Sequence, residues 1–535
     1  MTHTNGKFDI SKIRNELQQI IINVMEDNDL RTIPDDIPIL DLGISSLALV
    51  EGMRQVYDHF GVLVSIRRVI EGQITIGTLA LYIEQGLNSQ QSLKKKSQTA
   101  PSQWKVERQI PLAPSQQHLG FLSRYLSEAG AAFNEALLLR LNGAFHGPAL
   151  HAAIEEVGSR YESLRTALNP YQNALDVGVG EPLELVVSPI STEELKARIT
   201  EIVVQPFEIG KRLFRIELLR ISETDHVLAL VGHSLVIDQH ALKIVLNDIA
   251  KLYQVFSHEQ DESLPPITLQ WTDYLALNNT GAAKEIQQRA EKYWKDVYAS
   301  GVPRLELPAD HPRPPTKKYF GSRVTLQIDP VTVKRLRAYV ALEGVSPQTV
   351  LFAAFTAFIH RISNLSDLVV GVESDSLYLD SNMPSIANAR NMLPLRTKFD
   401  TTQSFKAYVQ MVGRALVKAN GHRTLSLSEL IQLLQLPRDQ SRSALFTAAF
   451  RSQREDRPPL FDGLDCNYIL SPGAGARYDI ELIALVQGNN ISLVCEYSTE
   501  LFEAETISRW LRGMLALLDS ALQAHTLACG LLPMM

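Results

Sequence analysis

A small helical bundle followed by a larger α/β region is the fold class predicted for this 535-residue chain. Three observations predict it. Apolar residues recur at helical spacing through residues 1 to 87, residues 88 to 108 are polar and aperiodic, and from Ile110 onward strand patterns alternate with helical ones. The length suggests about three or four domains of ordinary size. Apolar residues make up 45% of the chain, ample for buried cores. A net charge of −7 offers no basic field to hold a polyanion, so nucleic acid is not an expected partner. Cys466, Cys495 and Cys529 are odd in number, far apart and without a CxxC pair, which fits neither a disulfide framework nor a metal site and points to a reducing cytoplasm. The start lacks an apolar signal core, and the longest apolar helix, near Val350 to Ile359, falls far short of the roughly 18 residues a membrane span needs.

In the bundle, Ile13, Leu17, Ile20, Ile21 and Val24 form one stripe. Leu49, Met53, Val56 and Phe60 form a second, closed by Gly61 as a C-terminal cap. A short turn around Ile66 to Ile70 and a last helix from Thr75 to Gln85, with Leu79, Tyr82 and Ile83, supply the packing partners. The loop Asp29 to Gly43 contains Pro34 and Pro38 and runs into Asp41-Leu42-Gly43-Ile44-Ser45-Ser46-Leu47, which sets Ser46 at a helix start. A plain N-cap, worth about 1 kcal/mol, accounts for a serine there, and Ser45 would serve as well. Residues 1 to 87 hold seven Lys and Arg against twelve Asp and Glu, a net of −5, so most of the excess charge lies on this small domain. Residues 88 to 108, with Lys94-Lys95-Lys96 and Pro101, read as an extended linker that lets the bundle swing.

Beyond the linker, Phe133 to Leu141 reads as a strand, Ala149 to Ser163 as a helix, and Leu164 to Asn169 and Leu183 to Val187 as further strands. Phe214 to Leu219 and His226 to Val231 make a hairpin through Ser222-Glu223-Thr224-Asp225, followed by a helix from His240 to Phe256. A second lobe begins near Trp271. It includes Val324 to Ile328, Leu368 to Val372, and a strand pair at Ile480 to Leu485 and Ile491 to Tyr497. Its helix from Ser346 to Ile362 is capped by Ser346 with Pro347 in the first turn. The stretch His233-Ser234-Leu235-Val236-Ile237-Asp238-Gln239 closes the hairpin, in a strand-to-helix turn where chemistry is often placed. A satisfied structural His and Asp pair is the plainer account of it.

The heptad resembles the HHxxxDG motif of nonribosomal peptide synthetase condensation domains, with His233 on the first histidine and Asp238 on the aspartate. Ser234 stands where the family has its base, and Gln239 stands at the motif glycine. Other segments resemble the family in order: Ile110 to Gln116 the opening PLSPAQ motif, Tyr161 to Thr166 RHExLRT, Asp367 to Gly371 DIVVGT, and Asn391 to Arg396 NTLPLR. Gly120 stands where the opening motif usually has tryptophan. Residues 1 to 87 resemble an acyl or peptidyl carrier protein, with Ser46 on the serine that receives 4'-phosphopantetheine and Ser45 replacing the usual Asp or His before it. A helix N-terminus there suits an incoming phosphodiester.

The resemblance implies a carrier domain at 1–87, a linker at 88–108, and two chloramphenicol-acetyltransferase-like lobes in a V at 109–270 and 271–535. It implies that an amine on one carrier attacks an acyl thioester on another, with a phosphopantetheinyl transferase and neighbouring synthetase or polyketide synthase proteins as partners. It also implies a salt bridge from Asp238, for which Arg165 and Arg396 are the candidates. A histidine base contributes about 10²- to 10⁴-fold, and a serine hydroxyl, with its far higher pKa, does not replace it. Ser234 as an acyl nucleophile would need His240, the remaining imidazole close by in sequence. Three functions stay open: an amide-forming catalyst with a degenerate motif, a silent domain that recruits a tailoring enzyme to the carrier-bound group, and a freestanding acetyltransferase, which the preceding carrier argues against. No adenylation segment is read, so the loading enzyme and acceptor carrier are expected from elsewhere.

Overall fold

The computed structural model describes residues 10–25, 33–42, 52–53, 55–56, 59–60, 62 and 74–93 of the N-terminal region. Between 105 and 534 it describes all but 126–129, 171, 180, 260–262, 268–269, 272, 274–280, 375–385, 387, 389–390, 438 and 456. Helices Ile10–Met25 and Ile76–Leu93 frame the N-terminal region. Ile13, Leu17 and Ile21 from the first, Met53, Val56 and Phe60, and Leu79 and Ile83 from the last are buried together, as their spacing requires. The connecting loop is pinned on this core. Arg14 Nη1 donates to Asp35 Oδ2 at 3.0 Å, Gln18 Nε2 donates to the Ile33 carbonyl at 2.9 Å, and Ile39 is buried at the head of the 3₁₀ turn Ile39–Leu42. Ser45, Ser46 and the turn at Ile66 to Ile70 lie outside the described residues. The last helix runs to Leu93, well into the stretch read as a linker: beyond Gly86 that polar run contains no breaker, and polarity does not by itself end a helix.

The α/β region is built on three sheets whose strands, in chain order, are β1 (Lys105–Pro111), β2 (Asn134–Asn142), β3 (Thr166–Leu168), β4 (Ala174–Val179), β5 (Leu185–Pro189), β6 (Phe214–Arg220), β7 (Asp225–His233), β8 (Gly321–Gln327), β9 (Asp367–Glu373), β10 (Met392–Lys398), β11 (Ala448–Arg454), β12 (Asp465–Ile469), β13 (Ile480–Gln487) and β14 (Asn490–Ser498). The first lobe holds a five-stranded sheet ordered β12-β2-β7-β6-β5, the second a six-stranded sheet ordered β10-β9-β11-β13-β14-β8, and β1-β4-β3 form a small third sheet. The predicted hairpin forms, with Leu218 opposite Leu228 in antiparallel register, and β13 pairs antiparallel with β14.

Helix Gln239–Ser257 covers the first sheet with Leu242, Val245, Leu246, Ile249 and Tyr253. Helix Pro347–Ser363, capped by Ser346 Oγ accepting from Thr349 N at 3.1 Å, is buried in the second core. Among the described residues no single helix is long and apolar enough to cross a membrane.

One pairing crosses the sequence boundary between the lobes. Strand β12, from the C-terminal half, completes the first lobe's sheet beside β2, with Cys466 opposite Leu141. Its sequence, Asp-Cys-Asn-Tyr-Ile, alternates polar and apolar residues, with Cys466 and Tyr468 against the first core, but so short a pattern does not say which sheet it joins. The chain therefore returns to the first lobe at 465–469 and re-enters the second at β13. The segment between them carries much of the site.

A buried polar orphan lies elsewhere in the hairpin. His226 is 1% exposed, neither ring nitrogen has a hydrogen-bond partner among the described residues, and the ring meets Phe145 edge-on at 4.3 Å. An unmet buried polar group costs about 1 to 3 kcal/mol. His226→Phe is expected to raise stability by about 1 kcal/mol, read as a higher thermal unfolding midpoint for the variant than for the native chain.

Candidate active site

Strand β7 ends at His233, which pairs with Asn134 on β2, and the chain turns through Ser234 to Ile237 into helix Gln239–Ser257. The turn is held by backbone bonds: Ser234 N donates to the Phe133 carbonyl at 2.9 Å, and Val236 N donates to the His233 carbonyl at 2.9 Å. Strand alternation sends His233 and Ser234 to opposite sides.

The His233 ring is 2% exposed. Its Nδ1 accepts from Leu235 N at 3.1 Å, which leaves Nε2 protonated to donate to Ser123 Oγ at 3.1 Å, and that hydroxyl in turn donates to the Leu119 carbonyl at 2.8 Å. Burial, reinforced by the charge of Arg477, pushes the imidazole pKa down to about 3. His233 is thus neutral and serves as a strut between the turn and helix Pro114–Tyr125.

Ser234 faces the seam between the lobes and is 3% exposed. Its Oγ donates to Glu135 Oε1 at 3.2 Å and accepts from Arg477 Nη2 at 3.2 Å. The same Arg477 Nη2 reaches Glu135 Oε1 at 2.7 Å, and Arg477 Nε donates to the Ala132 carbonyl at 3.1 Å. Asn388 Nδ2 donates to the Ser234 carbonyl at 2.6 Å. The hydroxyl proton points at a carboxylate that a guanidinium already engages, so neither hydroxyl nor carboxylate is placed as a proton acceptor for a reacting group. His240, the imidazole a nucleophilic Ser234 would need, is exposed in the first turn of the helix.

Neither arginine expected to pair with Asp238 does so. Its carboxylate caps helix Gln239–Ser257, with Oδ1 accepting from Ala241 N at 2.8 Å. Arg165 instead binds Glu107 at 2.6 Å and the Gly178 carbonyl, and Arg396 binds Asp367 at 2.6 Å on the neighbouring strand of the other lobe. A carboxylate at a helix start turns onto the unpaired first-turn N–H groups, and the two arginines sit on elements that meet other acids. Loss of this cap by itself is expected to cost about 1 kcal/mol.

Glu135 and Arg477 carried no motif. Glu135 is a lone acid heading the apolar run Ala136 to Leu139, and such a residue signals a buried partner without naming it. Arg477 follows Gly473-Ala474-Gly475-Ala476 in the crossover from β12 to β13. Gly475, at φ +154°, lets that crossover press on the first lobe, because an added Cβ would stand 2.8 Å from Ala132 Cβ. Gly120 is equally confined: a Cβ there would lie 2.5 Å from Leu112 Cδ1. Beside the Glu135 and Arg477 pair a crevice of about 60 Å³ opens between the lobes, reaching Gln239, which donates to the Ala136 carbonyl at 2.9 Å, and Arg451 on β11. Among the described residues no group of three His, Cys, Asp or Glu is placed to hold a metal ion.

Residues 106–532 match the family model described as condensation domain, and residues 15–83 match the one described as phosphopantetheine attachment site. The chain belongs to the condensation-domain family, joined to a carrier domain. Curated relatives include surfactin synthase subunit 2 of Bacillus subtilis (strain 168), 29% identical over 90% of this chain, and gramicidin S synthase 2 of Aneurinibacillus migulanus, 24% identical over 97%. The chain spans 13% of the length of the first and 11% of the second. Among solved structures, the complex of the X-domain and OxyB from teicoplanin biosynthesis has a TM-score of 0.71 at 22% identity, covering 82% of this chain and 99% of that one. The condensation domain from the monacolin K polyketide synthase MokA has a TM-score of 0.71 at 16% identity, covering 79% of this chain and all of that one. These likenesses bear out the expected condensation fold behind a helical carrier region.

The neutral state of His233 makes the condensation domain sensitive to acid. Its pKa is about 3 folded and about 6.5 unfolded, so this contribution to stability is complete above roughly pH 6.5 and is lost as pH falls toward 3, by up to about 1.4 kcal/mol per pH unit. His233→Gln, with an amide to meet Ser123, is expected to flatten part of that decline between pH 6.5 and 4 in urea-denaturation midpoints; a slope identical to the native chain's would refute the assignment.

Proposed function

We propose that this chain is a carrier and condensation didomain of a nonribosomal peptide or peptide–polyketide assembly line, working in the cytoplasm, that joins a carrier-bound acyl group to an amine without an imidazole base. The observation that carries the reading is Ser234 at the base position, with its hydroxyl held between Glu135 and Arg477. Ser46 is the attachment point for 4'-phosphopantetheine within the matched carrier segment, and the described frame fits that role, since the loop leading to it is pinned by Arg14, Gln18 and Ile39. When attached, the group supplies a thiol that holds the acyl chain as a thioester.

The residues of this chain then act by placement. His233 braces the turn, Asp238 starts the helix behind it, and Ser234 with Arg477 presents fixed polar groups at the seam. A neutral amine attacks without prior deprotonation: the C–N bond forms, the C–S bond breaks, and the amine's proton leaves with the thiol or solvent. An alcohol would need a base during attack, so esters are not expected products. The partners of this reading are a phosphopantetheinyl transferase and the neighbouring synthetase or polyketide synthase proteins that load the carrier and present the acceptor.

A second reading, a silent domain that recruits a tailoring enzyme, is favoured by the same ion pair, because Arg477 bolts the lobes together at the seam. The fold likeness to an X-domain solved with OxyB supports it. Two measurements test the proposal. Intact mass after incubation with coenzyme A, magnesium and a broad-specificity phosphopantetheinyl transferase should rise in the native chain and in Ser45→Ala but not in Ser46→Ala. Single-turnover product analysis with a defined acyl group on Ser46 and a panel of amines should show amide formed slowly by the native chain and about 10²-fold faster by Ser234→His. No product from either form, with retained binding of a neighbouring pathway enzyme, would leave the recruiting role standing and sink the catalytic one.

A further inference from the structure

The turn that carries Ser234 is held one carbonyl at a time. The His233 carbonyl accepts from Val236 N at 2.9 Å and Ile237 N at 3.2 Å, within the turn itself. The Leu235 carbonyl accepts from Gln116 Nε2 at 2.7 Å, a first-lobe side chain whose Oε1 is fixed in turn by Ala113 N at 2.9 Å. The Ser234 carbonyl between them accepts from Asn388 Nδ2 at 2.6 Å, and Asn388 comes from the other lobe, between β9 and β10. A carbonyl on so buried a residue needs a protein donor, because little water reaches it. Asn388 itself stands between two anchors. Ser374 N donates to the Asn391 carbonyl at 2.9 Å beside the β9 and β10 ladder, and Asn391 Nδ2 donates to the Arg423 carbonyl at 2.9 Å and the Leu425 carbonyl at 2.7 Å. On the other side Ile386 is buried in the first lobe's core, and its carbonyl accepts from Ser163 Oγ.

Residue 234 is thus gripped twice from the C-terminal half of the chain, its carbonyl by Asn388 and its hydroxyl by Arg477. The first lobe holds it through Ser234 N on the Phe133 carbonyl and through the hydroxyl on Glu135. With the N–H and the C=O of one residue both held, chirality leaves one direction for its Cα–Cβ bond, so the donor on the carbonyl decides where the side chain is aimed. We propose that Asn388 is a positioning residue for the reaction at the seam: by holding the Ser234 carbonyl it aims the side chain at 234, here a hydroxyl, toward Arg477. This inference rests on the condensation reading and adds to it the group that orients the base position.

A thiol reports that aim without any turnover. Ser234→Cys changes little in size and puts sulfur between Glu135 and Arg477, where the guanidinium favours the thiolate. Its pKa is read in the full chain from ultraviolet thiolate absorbance, taken as the difference from the native chain so that Cys466, Cys495 and Cys529 cancel. Adding Asn388→Leu, which keeps the size and loses the donor, should weaken the thiol as an acid about tenfold, because a residue left to the first lobe's bonds backs away from Arg477 and stays beside Glu135. Asn388→Ala should do the same and serves if the leucine variant does not fold. Ile154→Val, in the first lobe's core, should lower the thermal unfolding midpoint without moving the thiol pKa. A pKa unmoved by both Asn388 variants, or moved as far by Ile154→Val, would each overturn the proposal. In amide formation, Asn388→Leu should lower kcat about tenfold with KM within about twofold, and a raised KM with unchanged kcat would overturn it as well. Failure of the condensation reading would show separately, as no amide from the native chain or from Ser234→His while the thiol pKa still responds to Asn388→Leu.

Discussion

The ion pair between Glu135 and Arg477 holds the two lobes together where the candidate reacting groups lie. Glu135 is 4% exposed, and Arg477, from the far end of the chain, is partly buried against it. Removing one member of such a pair strands the other at a cost of about 3 to 5 kcal/mol, although the intact pair contributes little net stability. Its importance is geometric. With the carboxylate fixed by the guanidinium, the hydroxyl of Ser234 has one arrangement that satisfies both its proton and a lone pair, and the outlet of β7 is fixed with it.

That interaction depends on the path of the chain. Because β12 completes the first sheet and β13 belongs to the second, the segment between them must cross the seam, and Arg477 is carried across on it. The second lobe anchors the segment with basic side chains: Lys317 Nζ donates to the Arg477 carbonyl at 2.6 Å, Arg313 pairs with Asp479 at 2.5 Å, and Arg323 Nη1 donates to the Ser471 carbonyl at 2.9 Å. Burial pushes the Lys317 ammonium down to about 8, and its position over the Tyr319 ring, 5.0 Å to the centroid, offsets part of that burial. The lobes are therefore interlocked, with a strand of the C-terminal half completing the first lobe's sheet.

The chemistry available at the seam follows from what is already engaged. The one imidazole in the turn is neutral, buried and doubly hydrogen-bonded, and the carboxylates nearest Ser234 and at the helix start are engaged with Arg477 and with the Ala241 amide. Groups held in this way orient and exclude water well, and exchange protons poorly. A site of this kind suits an incoming group that brings its own nucleophilicity.

Periodicity and capping alone made much of the architecture legible. The hairpin of β6 and β7, the helix behind it, the helix capped by Ser346 and the strand pair of β13 and β14 are local patterns, in which each residue's neighbours in sequence are its neighbours in space. The motif residues His233, Ser234 and Asp238 were visible for the same reason, since all lie in one turn. Partners were not visible: Asp238 turned onto its own helix, Arg165 and Arg396 met Glu107 and Asp367, and β12 crossed to the first lobe. Tertiary structure alone decided that Glu135 and Arg477, 342 residues apart, would close on Ser234, because the energy of a buried charge is set by what the fold brings beside it and leaves no period in the sequence to read.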